Sequence, residues 1–486
     1  MSKKLKIVHI ASEVAPFSKT GGLADVARSL PKALLRLGHE VIIITPLYGQ
    51  LIDKREHNLE LLLENVSLRL NSQETVKVNY WRGYLMKDLP VYFIENTKFF
   101  SKHKRIYGSA RENARFLVFN VAALKLLSLL KYQADIIHCH DWQTGLIPHY
   151  LKTDFRYSKT LKSAKAVFTI HNLIFQLGHN WWNIPSERKD YGRSKVPHLS
   201  DPALEDINFA KRAILSADVI NTVSEQYREE IMTKRFGQDL HRILKNRANR
   251  LYGIINGIDY NTYNPEKDKL LAKRYSPLFP AAKADNKLVL QSRLGLPQDK
   301  HVPIICATSR VTFQKGFSMI LAIMPLLLKL DIQLVFMGDG SKEYIEPLKK
   351  WQKKYPNKLI WLPFDQSLET LIYAGSDIFL LPSMHEPCGI NQLIAMRYGC
   401  IPVVRAIGGL YDTVVNFNPA FSRGTGFTFR SEDEMVFYTT LVRALESYRY
   451  RRDWQNLVRR AMRHSTSWEI PAKKYVELYK EAMKEA

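Results

Sequence analysis

The stretch Leu380–Val414, LLPSMHEPCGINQLIAMRYGCIPVVRAIGGLYDTV, decides how the rest of the chain reads. It opens as a strand end, runs into a loop carrying Glu386, and continues as a helix from about Gly389 to Tyr398. A short apolar strand from Ile401 to Val404 follows, and Gly408 and Gly409 then open another helix. Strand, loop, helix, strand is the order of an open α/β sheet, whose loops beyond the strand carboxyl ends form the ligand crevice. A helix N-terminus behind such a loop offers unpaired N–H groups and the positive end of its dipole to an anion. The segment therefore presents one carboxylate, Glu386, to a polar group and a pair of glycine amides to a phosphorylated one.

The chain around it has 486 residues, enough for two sizeable domains with separate cores. Four cysteines (Cys139, Cys306, Cys388 and Cys400) show no close pairing, which points to a reducing compartment and away from a zinc site. The first apolar run is short, contains His9 and leads into a glycine turn, so it reads as a first strand rather than a signal peptide. No apolar run free of charge is long enough to span a membrane, and a soluble intracellular protein is expected. The formal net charge of +24 raises nucleic acid as a partner. Its densest run, Arg449–Arg452, lies on a helix and in no nucleic-acid-binding motif, so dispersed surface charge is the preferred reading and no nucleic acid is expected.

In the N-terminal half, Lys6 to Ala11 reads as a strand, and apolar positions from Leu23 to Leu37 keep a helical period up to Gly38. Val41 to Thr45 is a buried strand, which completes a βαβ start. The turn between them, Lys19-Thr-Gly21-Gly22-Leu-Ala-Asp25-Val, lets backbone approach a ligand and puts an ammonium near an anion. A plain tight turn with a surface lysine is the alternative. Leu59 to Ile94 reads as edge strands or hairpins, and Asn113 to Leu130 as an amphipathic helix. Ile136 to Asp141 (IIHCHD) is a strand whose alternation puts His138 and His140 on one face. That raises a metal site, but no third ligand has sensible local spacing and the chain has no Asp-x-Asp pair, so no metal is expected. Ala166 to Ile170 ends in His171-Asn172, well placed for a ligand or for a satisfied core histidine. Trp181 and Trp182 are open to stacking on a sugar or simply to packing. Asn208 begins a helix, and Ile254 to Asp259 reads as an apolar strand closing on a turn.

The proline-bearing polar stretch from there to about Lys300 reads as the hinge. Beyond it, Val302 to Thr308 is a strand, and Arg310 and Lys315 bracket the loop before a helix from Met319 to Leu330. Two cations beside a helix N-terminus suit a diphosphate leaving group; two surface cations are the alternative. Gly408-Gly409-Leu410-x-Asp echoes the Gly21-Gly22-Leu-x-Asp turn of the first half, so two amide nests aimed at one diphosphate are expected.

These strings, in this order, resemble the bacterial-type glycogen and starch synthases: Lys-Thr-Gly-Gly-Leu-Ala-Asp-Val, His-x-His-Asp-Trp, Thr-Ile-His-Asn-Leu, Ser-Arg-x-x-x-Gln-Lys-Gly and Glu-Pro-Cys-Gly. The resemblance covers nearly the whole chain. It implies the GT-B architecture: two Rossmann-like, doubly wound domains facing across a deep cleft, residues 1–260 on the acceptor side and 261–464 binding the nucleotide sugar, with a helix in 465–486 crossing back to the first. It implies transfer of glucose from ADP-glucose to the non-reducing end of an α-1,4-glucan (glycogen or starch), with retention, in the cytoplasm or a plastid, and with no cofactor. Carried over residue by residue, Glu386, His171, Lys315, Arg310 and Asp141 become the catalytic set. Lys19, Gly21, Gly22, Asp25, Asn172, Asn208, Phe364, Cys388, Gly389, Gly408, Gly409 and Leu410 become the substrate-binding set, Phe364 against the base. The chain departs from the family pattern after Asn208, at Ile394 where many relatives of the fold carry an acid, and at Ile407 where threonine is usual.

Two other readings remain at this point: a catalytically silent glucan-binding scaffold, and a transferase that uses UDP-glucose. A nucleic-acid-binding role would show as affinity that falls steeply with salt and survives Glu386→Gln. The enzymatic reading expects neither, and a filter-binding titration at two salt concentrations separates them.

Overall fold

The computed structural model describes residues 4–70, 74–464 and 466–484, so Asn71, Ser72 and Gln73 of the edge-strand region and Ser465 of the expected returning segment lie outside the described residues. The chain divides into two compact units, Met1–Ile254 with Trp468–Ala486, and Ile255–Ser467. The division falls six residues before the expected boundary at 260.

Unit 1 is built on strands β1 (Lys6–Ile10), β2 (Glu40–Pro46), β3 (Glu60–Arg69), β4 (Thr75–Met86), β5 (Leu89–Glu95), β6 (Ile136–His140), β7 (Lys165–Ile170), β8 (Val219–Thr222) and β9 (Leu251–Gly253). They form one nine-stranded sheet in the order β3-β4-β5-β2-β1-β6-β7-β8-β9. All neighbours are parallel except β3 with β4 and β4 with β5, the expected antiparallel edge. The central strands are runs such as Val41-Ile-Ile-Ile-Thr45, apolar without alternation because both sheet faces are covered. Ile254 to Asp259 is not a strand; the chain leaves the sheet at Gly253.

Unit 2 carries β10 (Ile304–Thr308), β11 (Gln333–Met337), β12 (Leu359–Leu362), β13 (Ile378–Leu381), β14 (Ile401–Arg405) and β15 (Phe427–Phe429). Its all-parallel sheet runs β12-β11-β10-β13-β14-β15. In each sheet the direction of winding reverses once in the parallel part, between β1 and β6 in unit 1 and between β10 and β13 in unit 2. Adjacent loops there diverge to opposite faces and leave a crevice at the strand carboxyl ends.

Two helices differ from expectation. The helix Glu112–Leu129 is buried on nearly all sides instead of amphipathic, and its Glu112 and Arg115 side chains, each 2% exposed, neutralise one another at 2.5 Å. The expected hinge contains the helix Lys283–Arg293, whose buried Lys283 donates to Tyr373 O and Ala374 O and whose Lys287 pairs with Asp377. Proline spacing suggested a linker, yet these polar side chains find buried partners and make the segment part of unit 2.

The helix Glu469–Met483 returns to unit 1 and buries Tyr475, Leu478 and Tyr479. Its two phenols enter a polar core: Tyr479 Oη meets His138 Nδ1 at 2.8 Å, and Tyr475 Oη accepts from Asn221 at 2.9 Å. Removing one partner of a buried hydrogen bond strands the other, at about 1–3 kcal/mol. Tyr479→Phe is therefore expected to destabilise unit 1 by about that amount, read as a lowered midpoint in urea unfolding.

Candidate active site

In unit 2 the loops that follow β10 and β13 flank the winding reversal. Residues 312–316 lie on the loop after β13: Met384 N donates to Gln314 O, and Gln314 Nε2 donates to His385 O. Gly316 has φ +77°, and a Cβ there would lie 2.1 Å from Pro382 O, so glycine is required for the approach. The approach brings Lys315 Nζ within 2.5 Å of Glu386 Oε2, which also accepts from Ser383 Oγ at 3.0 Å. Glu386 is buried and Lys315 half-buried, while Arg310 stands exposed at the start of the same loop. The spacing of the two strings along the chain, about 70 residues, says nothing of this contact; the strand order creates it.

The glycine pair is set by close backbone packing against the Glu386 loop. Gly409 N–H donates to the Glu386 and Pro387 carbonyls, both at 3.1 Å, and Leu410 N–H donates to Ile407 O. A Cβ would lie 2.0 Å from Glu386 O at Gly408 and 2.0 Å from Cys388 O at Gly409. These glycines let the Glu386–Cys388 backbone pack directly on the following helix, and the Gly409 amide is engaged by that segment. Cys388 is buried, with its thiol pushed up to about 12 by burial; Gly389 turns the chain at φ +72°; Leu410 is core; Phe364 is exposed.

In unit 1 the carboxyl ends of β1, β6 and β7, adjacent in the sheet, bring together Glu13, Asp141 and His171. Asp141 Oδ1 accepts from His171 N–H at 2.7 Å, and Asp141 adopts φ 57°, an uncommon conformation for a residue with a side chain. Burial pushes its carboxyl up to about 7, opposed by the backbone N–H groups of His171 and Asn172 and reinforced by Glu13. Glu13, 2% exposed, is likewise raised to about 7, chiefly by burial, and accepts from Thr20 N–H and Oγ1. Tyr107 Oη lies 2.7 Å from Ser12 Oγ beside it. Glu13 and Tyr107 were missed as site residues; an acid directly beyond the first strand of a parallel sheet was the available signal for Glu13.

Lys19 in the first loop pairs at 2.9 Å with Asp25 in the first turn of the helix Gly22–Arg36, and a Cβ on Gly21 would meet nothing within 4 Å, so that turn faces open space. Asn172 Oδ1 accepts from Ile174 N–H. Asn208 caps a helix: its Oδ1 accepts from Lys211 N–H and its Nδ2 donates to Gln176 Oε1 at 2.5 Å, so both ends of its amide take part in local structure. Trp181 is half-buried with Lys189 over its ring, and Trp182 is exposed.

No third ligand has sensible local spacing to His138 and His140, but the sheet order brings a distant one beside them. His9 on β1 faces His138 across the β1–β6 pair, and nitrogens of the three buried rings lie within 4.8 Å of one another, a grouping that could hold a metal ion. Both His138 nitrogens are already engaged, by Tyr479 Oη and by Thr169 Oγ1. His140 is likewise committed at both nitrogens, to His9 and to His171.

Residues 6–246 match the starch synthase catalytic domain, and residues 292–460 match glycosyl transferases group 1. A glycogen synthase of Geotalea daltonii is 40% identical over 98% of both chains. The chain belongs to the glycogen and starch synthase family. A glycogen synthase of Moorella thermoacetica is 39% identical, over 99% of this chain and 98% of its own. The catalytic domain of starch synthase IV from Arabidopsis thaliana, bound to ADP and acarbose, superposes with a TM-score of 0.88 at 34% identity, covering 99% of this chain and 100% of that one. A sucrose-phosphate synthase from Thermosynechococcus elongatus, 17% identical with a TM-score of 0.61, shares the fold. The two Rossmann-like sheets are thus those of the GT-B architecture of this family.

The raised Asp141 carboxyl has a consequence for stability. A buried acid whose folded pKa lies above its unfolded value costs nothing below the unfolded pKa, near 4, and its full penalty above about 7. Asp141→Asn keeps an acceptor for the His171 amide and removes the charge. It is expected to raise the melting temperature by a few degrees at pH 8, with the gain vanishing toward pH 4 in a calorimetric pH series.

Proposed function

We propose that the protein is a glycogen synthase that transfers glucose from ADP-glucose to the non-reducing end of an α-1,4-glucan with retention of configuration. The observation that carries this reading is the Lys315–Glu386 contact at the winding reversal of unit 2, in a chain similar over its full length to glycogen synthases. Transfer breaks the bond from C1 of glucose to the diphosphate and forms one from C1 to the acceptor 4-oxygen on the same face. The hydroxyl proton leaves with the departing ADP. Negative charge grows on the diphosphate as positive charge grows on the sugar ring, and fixed groups of opposite sign favour that state. Lys315 and Arg310 oppose the charge on the leaving diphosphate. Glu386, buried and already oriented by Ser383 and Lys315, holds a sugar hydroxyl and opposes the ring charge.

In unit 1, Lys19 supports the diphosphate, His171 holds the glucose, and Asp141 orients the acceptor. Phe364 supplies an exposed ring for the base. No metal is expected in this mechanism, because side-chain cations balance the diphosphate. The reading places the protein in the cytoplasm, or in a plastid if its source is a plant or alga.

Lys315→Ala is expected to lower kcat roughly a hundredfold or more with a smaller change in KM, because its charge acts most strongly on the transition state. The deciding assay mixes purified protein, glycogen and either ADP-glucose or UDP-glucose with EDTA present, and follows nucleotide release. Rapid glycogen-dependent ADP release is the expected result. Release from UDP-glucose alone would overturn the donor assignment, and release from neither would overturn the enzymatic reading.

A further inference from the structure

Three imidazoles form a continuous hydrogen-bonded row across the carboxyl ends of β1, β6 and β7. His9 Nδ1 lies 2.9 Å from His140 Nε2, and His140 Nδ1 lies 3.0 Å from His171 Nε2. The row follows the strand order, since β1, β6 and β7 are consecutive neighbours in the sheet. His9 and His140 are fully buried with their ring planes 19° apart, and His138 packs against both, its centroid 4.8 Å from that of His9 and 4.2 Å from that of His140. The inner two rings are therefore clamped, and His171 hangs from the end of the row with Nδ1 as its one nitrogen outside it.

Burial keeps these rings neutral: His9 and His171 are each pushed down to about 3, and His140 well below its usual range. A neutral imidazole carries one N–H and one lone pair. His140, in the middle, must then donate to one neighbour and accept from the other, so the row has only two arrangements. In one, every hydrogen sits on Nδ1, His9 donates to His140, His140 donates to His171, and His171 shows an N–H outward. In the other, every hydrogen sits on Nε2, and His9 Nε2–H points into the core.

The far end of the row distinguishes them. Among the described residues, nothing forms a hydrogen bond with His9 Nε2, although that atom is buried. Buried donors are left without partners less often than buried acceptors, so the arrangement with a bare lone pair at His9 Nε2 is favoured over one with a stranded N–H.

We propose that His9 and His140 are positioning residues that hold His171 in one orientation and as its Nδ1–H tautomer, so that it presents a hydrogen-bond donor to an oxygen of the transferred sugar. This rests on the reading that His171 contacts the sugar. The row itself stands on the geometry of unit 1 alone. It also assigns a purpose to buried histidines that no step of the transfer uses directly. A donor fixed before the sugar arrives need not be reoriented during the reaction, the advantage of any preorganised dipole.

Two measurements test it on the full-length protein. The first is two-bond 1H–15N correlation on protein labelled with 15N-histidine, with signals assigned by loss in His9→Asn, His140→Gln and His171→Gln. Neutral Nδ1–H patterns for His9, His140 and His171 are expected. An Nε2–H pattern or fast tautomer averaging at His171 would overturn the proposal. One equivalent of zinc that abolishes all the row's couplings would also overturn it, because the rings would then be a metal cradle. The second measurement compares His140→Leu with His140→Gln, whose amide can accept from His9 and donate to His171. His140→Leu is expected to lower kcat about tenfold with the donor KM little changed, and Gln to recover most of the loss. Equal kcat in wild type and His140→Leu, or equal losses in the two variants, would overturn the positioning role. If no donor supports turnover at all, the sugar reading fails, and the tautomer measurement still decides the row independently.

Discussion

Backbone packed on backbone, with no side chain between, is the constraint on which the nucleotide-side site depends. Gly316 lies on the Pro382 carbonyl, and Gly408 and Gly409 lie on the Glu386–Cys388 segment, at separations that no Cβ would permit. With the loops so close, an ammonium on one and a carboxylate on the other meet at 2.5 Å without either side chain stretching into solvent. The pair is largely shielded from water, so its charges act on a ligand more strongly than surface charges would. The same closeness has a cost: removing Lys315 leaves a buried carboxylate without its counter-ion.

The acceptor-side unit solves a related problem with different groups. Two carboxyls, Glu13 and Asp141, are buried near one another at the ends of neighbouring strands, and each is held near neutrality's edge at about pH 7. They oppose folding at high pH, and such local conflict between stability and solvation is found where chemistry is done. What keeps the region ordered is the polar core beneath it. His138 bridges Tyr479 and Thr169, Asn221 bridges Tyr475 and Thr169, and the returning helix thereby fastens the strand ends from below.

Much of this was legible along the chain. Glycine turns following apolar runs placed the βα loops, and Lys315, Glu386, Asp141 and His171 were each found at a strand's carboxyl end. Ambiguity came where one residue type serves two physical ends. A Gly-Gly pair that opens a helix looks the same whether its amides hold phosphate or its missing side chains admit a neighbouring loop. Asn208 looks the same whether it binds a ligand or caps a helix. Proline-rich polar sequence before Lys300 resembled a hinge because the partners of Lys283 and Lys287 lie some 90 residues downstream.

Local pattern sufficed for the elements, their parallel βα order and the set of groups able to act on a phosphorylated sugar, because strand and helix periods and turn chemistry are short-range properties. Strand order is a long-range property, and only folding settles it. Placing β1 beside β6 joined His9 to His140 across 131 residues, and placing β10 beside β13 joined Lys315 to Glu386 across 71. Those two adjacencies, which no spacing along the chain encodes, turn scattered ionisable side chains into sites.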